Sequence, residues 1–499
     1  MTQTTDTTTT PDAAGASESL ILLRLGAEMS IKSRRTRSNF LRRLTRNIRD
    51  ALNSAGIEHE LGIGWSRIQV RARAPGALDV LGRVFGISSF SPVEGVVSAE
   101  LDEIVETGER LFRERVAGRR FAVRACRTGR HPYTSQDVQV KLGAALAPHA
   151  ARVDLTDPEV TVHVEVRDRE AHLFAERFQG AGGLPLGVEG RAVALLSGGY
   201  DSAVAAWLLL RRGVALDYVF CNLGGDAYER SVAQVGKVLA DDWSYGDRPR
   251  LHVVDFNAVL DELRARSKPA YWQVVLKRLM YRAASSVGET LQAGAIVTGE
   301  AMGQVSSQTL PNLRAIEPAA SLPVFRPLLG FDKDEIIRRA AEIGTAALSE
   351  QVKEYCAIAP GKPVTAASVE AVDAEEAKLD LSILESAVAA RKVLDLRALT
   401  PTDLVSPYLF TTEIPDDAVV IDCRTPAQYQ AWHYPGAEHR DEWELLQHFK
   451  RLDRDRTYVI YCAHGIQSAY LAERMQRAGY EAYSFRGGVR ELMQRATTT

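Results

Sequence analysis

The segment LLSGGYDSAVAAWLLL, residues 195–210, places glycine, serine and aspartate between two apolar runs. The residues AVALL that lead into it predict a buried strand, and the apolar run that ends at Gly213 predicts a helix. Residues 197–202 would then turn from the carboxyl end of a strand into a helix N-terminus, where parallel sheets bind ligands. Backbone N–H groups, the helix dipole and two glycines make this turn a candidate anion cradle, to which Ser197 and Ser202 would add hydroxyl donors.

The complete string SGGYDS is more specific than a lone Gly-Gly turn, which many strand-to-helix connections contain. It is neither GxxxxGK[ST] nor GxGxxG, so γ-phosphate transfer and dinucleotide binding are poor interpretations. The string resembles the pyrophosphate loop of ATP pyrophosphatases, which split ATP into AMP and pyrophosphate. That resemblance implies ATP and Mg²⁺ as cofactors, with Asp201 as a catalytic residue that helps hold the ion or positions the reacting phosphate. The alternative is that Asp201 only caps the following helix.

Length and composition are those of a soluble multidomain protein. The 499 residues predict three or four domains, and 45% hydrophobic and 25% charged residues are ordinary values. No apolar run is long enough to span a bilayer, so we expect no membrane association. Residues 1–18 lack the basic and apolar regions of a secretory signal and are predicted to be a disordered tail. The five cysteines show no CxxC spacing, which favours a reducing cytoplasm over a disulfide framework.

Strand and helix patterns divide the rest of the chain. SLILLRLG and SRIQVRA predict strands on either side of an Arg-rich helix with Phe40, Leu41, Leu44 and Ile48 on one face. A second small α/β module follows from about Val97. Beyond the glycine-rich stretch QGAGGLPLGVEG, apolar strands alternate with helices, which indicates a parallel sheet covered on both faces. A helical, acidic segment then leads to a short final α/β pattern.

The final pattern contains a second strand-to-helix turn, and this one carries a cysteine. TYVIYCAHGIQSAYLAERM, residues 457–475, predicts a strand that ends at Cys462 and a following helix. Backbone N–H groups around the thiol would lower its pKa and favour a thiolate or persulfide, while a buried structural cysteine is the alternative. With IDCRTPAQYQAWHYPGA, the segment resembles a rhodanese domain. Its loop carries Ala463, His464 and Gln467, with fewer fixed positive charges than many rhodaneses, which favours a protein sulfur donor over thiosulfate.

The whole chain after the tail resembles the tRNA sulfurtransferase (tRNA 4-thiouridine synthase) family, in the form that has a C-terminal rhodanese domain. The resemblance is carried by GAEMSIKSRRTRSNFLRRLTRNIR, RTGRHPYTSQDV, TGEAMGQVSSQTLPNLRAIE, RPLLGFDKDEII and EYCAIAP. It implies an α/β multidomain enzyme whose adenylating domain is a doubly wound parallel sheet. The implied domains are a ferredoxin-like domain (19–75), a THUMP RNA-binding domain (76–182), a PP-loop ATP pyrophosphatase domain (183–365), a helical linker (366–404) and a rhodanese domain (405–499).

The same resemblance implies the site residues. Cys462 would carry the persulfide, and Cys356 would be its partner in a disulfide formed during turnover; for Cys356 a small core residue is the alternative. Lys277 would supply positive charge to ATP, although a lysine in a helix is more often solvated. The implied ATP-binding residues are Leu195, Leu196, Ser197, Gly198, Gly199, Asp201, Ser202, Lys277, Gly299 and Gln308.

The reaction that the resemblance implies joins these residues. ATP would adenylate O4 of the uridine at position 8 of tRNA, and persulfide sulfur from Cys462 would replace that oxygen to give 4-thiouridine. A pyridoxal-phosphate cysteine desulfurase would supply the sulfur. A second implied activity passes sulfur to the thiazole sulfur carrier protein of thiamine biosynthesis. The sequence leaves the oligomeric state open, with a homodimer among the options.

Basic residues of the front end predict tRNA contacts that read shape and backbone more than base sequence. Arg-rich helix faces are often only solvated, so that alternative stays open for the helix itself. A different class of function also stays open: a PP-loop amide-forming synthetase with a non-catalytic rhodanese-like binding module. It would carry no sulfur on Cys462 and bind no tRNA. The expected tRNA-binding residues are Lys32, Arg34, Arg35, Arg124, Arg127 and Arg130.

Overall fold

The computed structural model describes residues 19–64, 67–72, 76–223, 225–350, 362–404, 409–441, 444–445, 448–463 and 466–496. They form two compact units. The first contains the strand Ser19–Leu25 with Leu52–Gly82 and Ser89–Gln179, and the second contains Gly26–Ala51, Arg83–Ser88 and the chain from Gly180 onward. Within the described ranges, every helix is too short or too polar to cross a bilayer.

The chain up to residue 179 forms two five-stranded sheets, in the orders β10-β4-β1-β3-β2 and β5-β9-β8-β6-β7. These sheets confirm the prediction of two small α/β modules. Alternate residues of β3 are buried, as its alternating sequence predicts. The elements are β1 Ser19–Leu25, α1 Ala27–Ser30, α2 Arg34–Ser54, β2 His59–Ile63, β3 Arg67–Ala72, α3 Ala77–Gly82, β4 Ile87–Val93, β5 Gly95–Ser98, α4 Leu101–Val116, β6 Arg120–Thr128, α5 Ser135–Leu146, β7 Arg152–Val153, β8 Val160–Arg167, β9 Glu170–Phe174 and β10 Phe178–Gln179.

A buried ionic cluster joins the two sheets of the first unit. Glu165 on β8 is 7% exposed and accepts hydrogen bonds from Arg24 Nε on β1 (2.7 Å) and Arg67 Nε on β3 (3.2 Å). Arg167 adds a third bond at 3.3 Å. Burial alone would raise the pKa of Glu165, but the charges of Arg24 and Arg67 outweigh it and hold that pKa below its ordinary value.

The second unit is built on a six-stranded sheet in the order β15-β14-β11-β12-β13-β16. Strand β11 pairs in parallel with both β12 and β14, so the strand order reverses at β11 and opens a crevice at its carboxyl end. The elements are β11 Arg191–Leu195, α6 Tyr200–Arg211, β12 Ala215–Asn222, α7 Gly225–Trp243, β13 Arg250–Asp255, α8 Asn257–Arg266, α9 Trp272–Thr290, β14 Ile296–Val297, α10 Leu310–Ile316, β15 Val324–Phe325, α11 Lys333–Ile343 and α12 Ala346–Ser349.

Helices cover both faces of this sheet, as the sequence predicts. Every residue of β12 is buried, and its side chains alternate between two separate hydrophobic clusters. Tyr218 and Phe220 belong to one cluster, whereas Val219 and Cys221 belong to the other. An uninterrupted apolar strand is therefore explained by burial on both faces.

Residues 366–404, predicted to be a helical linker, differ from that prediction. They form α13 Val369–Glu376, α14 Leu381–Ala389, strand β16 Lys392–Asp395 and α15 Pro401–Leu404. Strand β16 pairs antiparallel with β13 at the edge of the main sheet. Glu376 on α13 is buried and pairs with Arg278 (3.1 Å) and Arg282 (2.7 Å) of α9. The segment thus packs into the core of the second unit. Its acidic sequence does not predict this packing.

The chain after residue 409 forms a parallel five-stranded sheet in the order β17-β21-β20-β18-β19. Its short apolar strands match the predicted positions. The elements are β17 Phe410–Thr411, β18 Val419–Asp422, α16 Pro426–Ala431, β19 Glu438–His439, β20 Thr457–Tyr461, α17 Ile466–Arg477, β21 Glu481–Phe485 and α18 Gly488–Ala496.

Replacement of Glu165 by glutamine should destabilise the first unit, because Arg24 would keep its charge in a buried position without a counter-charge. Breaking such a buried pair costs about 3 kcal/mol, which corresponds to roughly 100-fold faster hydrogen exchange. Exchange of β8 peptides, measured by mass spectrometry in the full-length protein, checks this. The exposed pair of Glu176 with Arg115 offers a matched control, Glu176→Gln, which should exchange at the wild-type rate.

The effect of Glu165→Gln should also depend on pH. The pKa of Glu165 is lower in the folded protein than in the unfolded chain, where it is about 4.3. The stabilisation is therefore complete above the unfolded value and is lost as the pH falls through the folded value. The difference between wild type and variant should shrink in acid. An equal difference at pH 7 and pH 3 would contradict the proposed ionic origin.

Candidate functional site

The loop after β11 is held together by its own serines. Ser197 N–H donates to Ser202 Oγ (3.2 Å), and the Ser202 hydroxyl donates to the carbonyl of Gly199 (3.1 Å). The Ser197 hydroxyl also donates to Ser202 Oγ (3.2 Å). Both hydroxyls thus brace the turn in this structure, and the expectation that they donate to an anion stays a prediction. Gly198 adopts a φ of 78°, in the left-handed region that favours glycine.

A cavity of about 370 Å³ opens at the carboxyl end of β11. Nearly all the residues predicted to bind ATP line it, although they come from four separate stretches of sequence. Gly198 is the exception: it lies in the turn and is not part of the lining. Gln308 is 8% exposed, and its Oε1 has no hydrogen-bond partner among the described residues. The predicted residues that share the cavity are Leu195, Leu196, Ser197, Gly199, Asp201, Ser202, Lys277, Gly299 and Gln308.

Gly299 follows β14 and lies against the backbone of the loop. A Cβ atom at this position would be 2.6 Å from the carbonyl carbon of Asp201 and from the nitrogen of Ser202. Real Cβ atoms essentially never approach backbone this closely, so a side chain would push the loop away. Glycine here is required because the end of β14 packs against the backbone of the first turn of α6. The resemblance implies only an ATP-binding role for Gly299, and this packing is a separate reason for glycine at the position.

Asp201 forms an ion pair that the sequence does not predict. Lys333 Nζ lies 3.0 Å from both carboxylate oxygens, and Gln304 Nε2 donates to Oδ2 at 3.2 Å. Lys333 is the first residue of α11, and its ammonium lies 5.5 Å from the centre of the Tyr200 ring. Asp201 accepts no capping bond in the first turn of α6, so the helix-cap alternative is not what the structure shows. The string FDKDEII predicts a helix that begins near Lys333, but it does not predict which residue Lys333 contacts.

Glu300, also missed by the sequence, forms a buried network in the cavity wall. It is 2% exposed and accepts hydrogen bonds from Tyr281 Oη (2.5 Å), Thr298 Oγ1 (3.1 Å) and Arg326 Nε (2.9 Å). Burial and the neighbouring Glu300 charge raise the pKa of Tyr281, so the phenol stays a hydrogen-bond donor. This network makes the wall next to Gly299 rigid.

The second candidate site lies at the carboxyl end of β20. Cys462 is 1% exposed, and the Ser468 hydroxyl donates to its Sγ at 3.4 Å. The carbonyl of Cys462 accepts from Val489 N–H at 3.0 Å, which fixes the strand end against α18. Beside β20, Arg424 Nη2 donates to Asp422 Oδ2 at 2.6 Å, so these two residues of the string IDCRTPAQYQAWHYPGA form a buried ion pair.

The other cysteines differ in their surroundings. Cys356 lies outside the described residues, so its pairing with Cys462 stays a prediction; His464 lies outside them too. Cys221 lines the cavity beside β11, and Cys423 is buried with its Sγ donating to the Tyr461 carbonyl at 3.2 Å. Cys126 is an exposed residue of the first unit, and partial burial of its thiol raises the pKa of that group.

The residues predicted to contact tRNA belong to both units. Lys32, Arg34 and Arg35 are exposed in the second unit. Other arginines of helix α2 do not share this exposure: Arg37 is buried, and Arg43 donates to the carbonyl of Leu186 at 2.7 Å. In the first unit Arg124 and Arg130 are exposed and Arg127 is half-buried. Some arginines of helix α2 therefore stabilise the fold, and fewer of them are exposed to a ligand than the sequence suggests.

Four parts of the chain match known protein families. They are the ThiI ferredoxin-like domain over residues 20–91, the THUMP domain over 98–176, the family described as Thiamine biosynthesis protein (ThiI) over 187–381, and the Rhodanese-like domain over 409–495. The predicted order of ferredoxin-like, THUMP, PP-loop and rhodanese domains is confirmed by these matches. The predicted boundaries between the domains stay predictions.

Full-length relatives cover almost the entire sequence. The tRNA sulfurtransferase of Pyrobaculum aerophilum is 38% identical over 94% of this chain and 96% of its own length. That of Desulfurococcus amylolyticus is 39% identical over 94% and 97%, respectively. That of Pectobacterium atrosepticum is 36% identical over 92% and 98%.

Solved structures agree with these matches. A crystal structure of a 4-thiouridine synthetase–RNA complex with bound ATP superposes with a TM-score of 0.68 and 31% identity. It covers 76% of this chain and 99% of that one. The crystal structure of PH1313 from Pyrococcus horikoshii gives a TM-score of 0.53 at 27% identity, covering 65% of this chain and 99% of that one.

Replacement of Gly299 by alanine should disrupt the loop, since the added methyl group would meet backbone at 2.6 Å. We expect a stability loss of about 1–3 kcal/mol from overpacking. We also expect at least ~10-fold weaker ATP binding in isothermal titration calorimetry, because the loop amides would be displaced. Gly294→Ala is the matched control, as its Cβ would meet its nearest neighbour only at 3.8 Å. ATP binding unchanged by Gly299→Ala would contradict the assignment of this cavity to ATP.

Proposed function

This chain belongs to the tRNA sulfurtransferase family, and on that premise we propose that it adenylates the uridine at position 8 of tRNA and replaces its O4 with sulfur carried on Cys462. The observation that carries the proposal is the cavity at the end of β11, where residues from 195 to 308 meet around one self-braced loop. An amide-forming synthetase with a non-catalytic rhodanese-like module is not supported, because relatives named tRNA sulfurtransferase align over both halves of the chain.

The adenylation step uses the chain's own residues around ATP. Backbone N–H groups of the loop and the N-terminus of α6 would bind the phosphates, and the Lys277 and Lys333 ammonium groups would offset the charge of the departing pyrophosphate. The Gln308 Oε1 atom, buried without a described partner, is an available acceptor for the nucleotide. Because most of this cavity is preformed, its dipoles need little rearrangement as charge develops.

Mg²⁺ fits this cavity as a partner of ATP. Magnesium prefers oxygen ligands and is usually held by one or two carboxylates together with phosphates and water. Asp201 offers one carboxylate, and Lys333 holds that carboxylate at the cavity wall. When bound, the ion would neutralise charge on the phosphates. No group of three or more acidic, histidine or cysteine side chains among the described residues could hold a metal independently of ATP.

The sulfur step begins on Cys462. A pyridoxal-phosphate cysteine desulfurase would load the thiol with a persulfide. The terminal sulfur attacks C4 of the adenylated uracil, a C–S bond forms, and AMP leaves with the C–O electron pair. The Cys356 thiolate then attacks Sγ of Cys462, and the S–S bond breaks with its electron pair left on the sulfur of the base. A thiol reductant must later return two electrons to the Cys356–Cys462 disulfide.

We also propose how the chain would serve a sulfur carrier protein and how it would bind tRNA. The rhodanese part would pass persulfide sulfur to the thiazole sulfur carrier protein in thiamine biosynthesis, which requires Cys462 but not the ATP cavity. The THUMP domain and the exposed arginines would hold tRNA by its shape and phosphates. Because all of these substrates and partners are soluble, we propose a cytoplasmic location, and we leave a homodimer as one form to be tested.

Replacement of Cys462 by serine should abolish 4-thiouridine formation when unmodified tRNA, ATP, cysteine and a desulfurase are supplied. Serine cannot hold a persulfide, so nucleoside analysis should show at least a ~100-fold loss. ATP affinity should stay at the wild-type value. Mass spectrometry of the wild-type protein should find one extra sulfur atom on the peptide that contains Cys462.

Two variants make this experiment decisive. Cys126→Ser removes an exposed thiol in the first unit and should leave thiolation unchanged. Asp201→Asn should lose thiolation yet still accept sulfur on Cys462 and pass it to the carrier protein. If the wild type forms no 4-thiouridine while the desulfurase is active, the proposed function is wrong.

The double variant Arg34→Gln/Arg35→Gln should weaken tRNA binding without changing ATP binding. Each lost phosphate contact should make the plot of log K against log salt less steep by about 0.7–0.9. Filter binding at several salt concentrations measures this slope. Arg248→Gln removes a guanidinium that is 77% exposed elsewhere in the second unit, and it should leave the slope unchanged. Equal slopes for the double variant and wild type would refute these two contacts.

A further inference from the structure

The turn at the end of α12 contributes two polar residues to the cavity that the proposed steps do not use. Ser349 is 3% exposed, and its hydroxyl has no hydrogen-bond partner among the described residues. Glu350 follows it and is exposed in the same cavity. The backbone is fixed here, because Ser349 N–H donates to Thr345 O (2.9 Å) and Glu350 N–H donates to Ala346 O (3.0 Å).

The few carboxylates that line this cavity differ in the hydrogen bonds and ion pairs that they form. Asp201 is paired with Lys333, and Glu300 is held by Tyr281, Thr298 and Arg326. Within the described part of the chain these two and Glu350 are the carboxylates of the lining. The Glu350 carboxylate forms no hydrogen bond or ion pair with a described residue. It is therefore the carboxylate that remains available to accept a proton.

The surroundings of Glu350 indicate a polar ligand. A buried hydroxyl without a partner is costly unless something satisfies it, and Ser349 turns such a hydroxyl to the same cavity. The Tyr200 ring on the loop side is close enough that burial and then the Glu350 charge raise the pKa of its phenol. The end of α12 and the loop where phosphate chemistry is proposed thus line the same cavity.

Attack by O4 of uracil is easier when a base lies beside the N3 atom. Uracil carries a proton on N3, beside the carbonyl C4=O4. If O4 attacks phosphorus while N3 keeps that proton, the product is a cation, which raises the barrier. A group that removes the N3 proton during the attack avoids this charge, and such general-base catalysis contributes about 10²–10⁴ in rate.

We propose that Glu350 is a catalytic base that removes the N3 proton of the target uracil as O4 attacks the α-phosphate of ATP. This inference rests on the proposed function. The O4–P bond forms and the bond from the α-phosphorus to the pyrophosphate oxygen breaks. The N3–H electron pair becomes the N3=C4 bond, while the C4=O4 π pair moves onto O4. After sulfur replaces AMP at C4, the Glu350 carboxyl returns the proton to N3 and the carboxylate is regenerated.

The test compares Glu350→Gln with wild type in single-turnover, tRNA-dependent AMP formation. Glutamine keeps the size of the side chain but cannot take the proton, so we expect at least a ~100-fold slower reaction. ATP and tRNA affinities should equal those of the wild type. Glu342→Gln is the matched control, because Glu342 is an exposed carboxylate on the neighbouring α11 that pairs with Arg339, and this variant should react at the wild-type rate.

A second substrate separates base catalysis from a structural role. In tRNA with 5-fluorouridine at position 8, the fluorine makes N3 more acidic, so the base contributes less. The rate difference between Glu350→Gln and wild type should therefore shrink by ~10-fold or more on this tRNA. An undiminished rate of Glu350→Gln on ordinary tRNA, or the same loss on both tRNAs, would overturn the proposal. Absence of AMP formation by the wild type itself would instead refute the proposed function.

Discussion

The contact between Gly299 and the backbone of Asp201 and Ser202 is the constraint on which the cavity at the end of β11 depends. Strand β11 has a parallel neighbour on each side, and the end of β14 reaches the loop only because position 299 lacks a side chain. This contact brings two distant parts of the sequence to one crevice. The serine bonds inside the loop and the rigid Glu300 network then hold the geometry from either side.

Charged side chains from several elements line the cavity. The cavity receives Lys277 from α9 and Lys333 from the start of α11, so positive charge converges on a place where backbone amides already favour anions. Asp201 is held by Lys333 and does not cap α6, which keeps its carboxylate at the cavity wall. The polar turn at the end of α12 supplies the complementary acceptor. The lining thus contains both a close ion pair, Lys333 with Asp201, and the separate charges of Lys277 and Glu350.

The same physical device occurs twice in the second unit. Strand β11 ends at Leu195 and α6 begins at Tyr200, while β20 ends at Tyr461 and α17 begins at Ile466. A cavity opens at the end of β11, whereas the sulfur of Cys462 is buried directly after the end of β20. The first unit is organised differently, because its two sheets are fixed to each other by the Glu165 cluster. The Glu165 cluster thus ties the two sheets of this unit together.

The sequence by itself determined the order of the α/β modules, the main parallel sheet and the two strand-to-helix turns, because hydrophobic periodicity and glycine placement are local signals. It also identified nine residues that line the cavity, although some of these came from resemblance. Only the tertiary structure decided that residues 366–404 complete the core, that Lys333 pairs with Asp201, and that Arg37 is buried while Arg34 is exposed. Those outcomes depend on contacts between distant parts of the chain, and composition or spacing carries no information about which partners will meet.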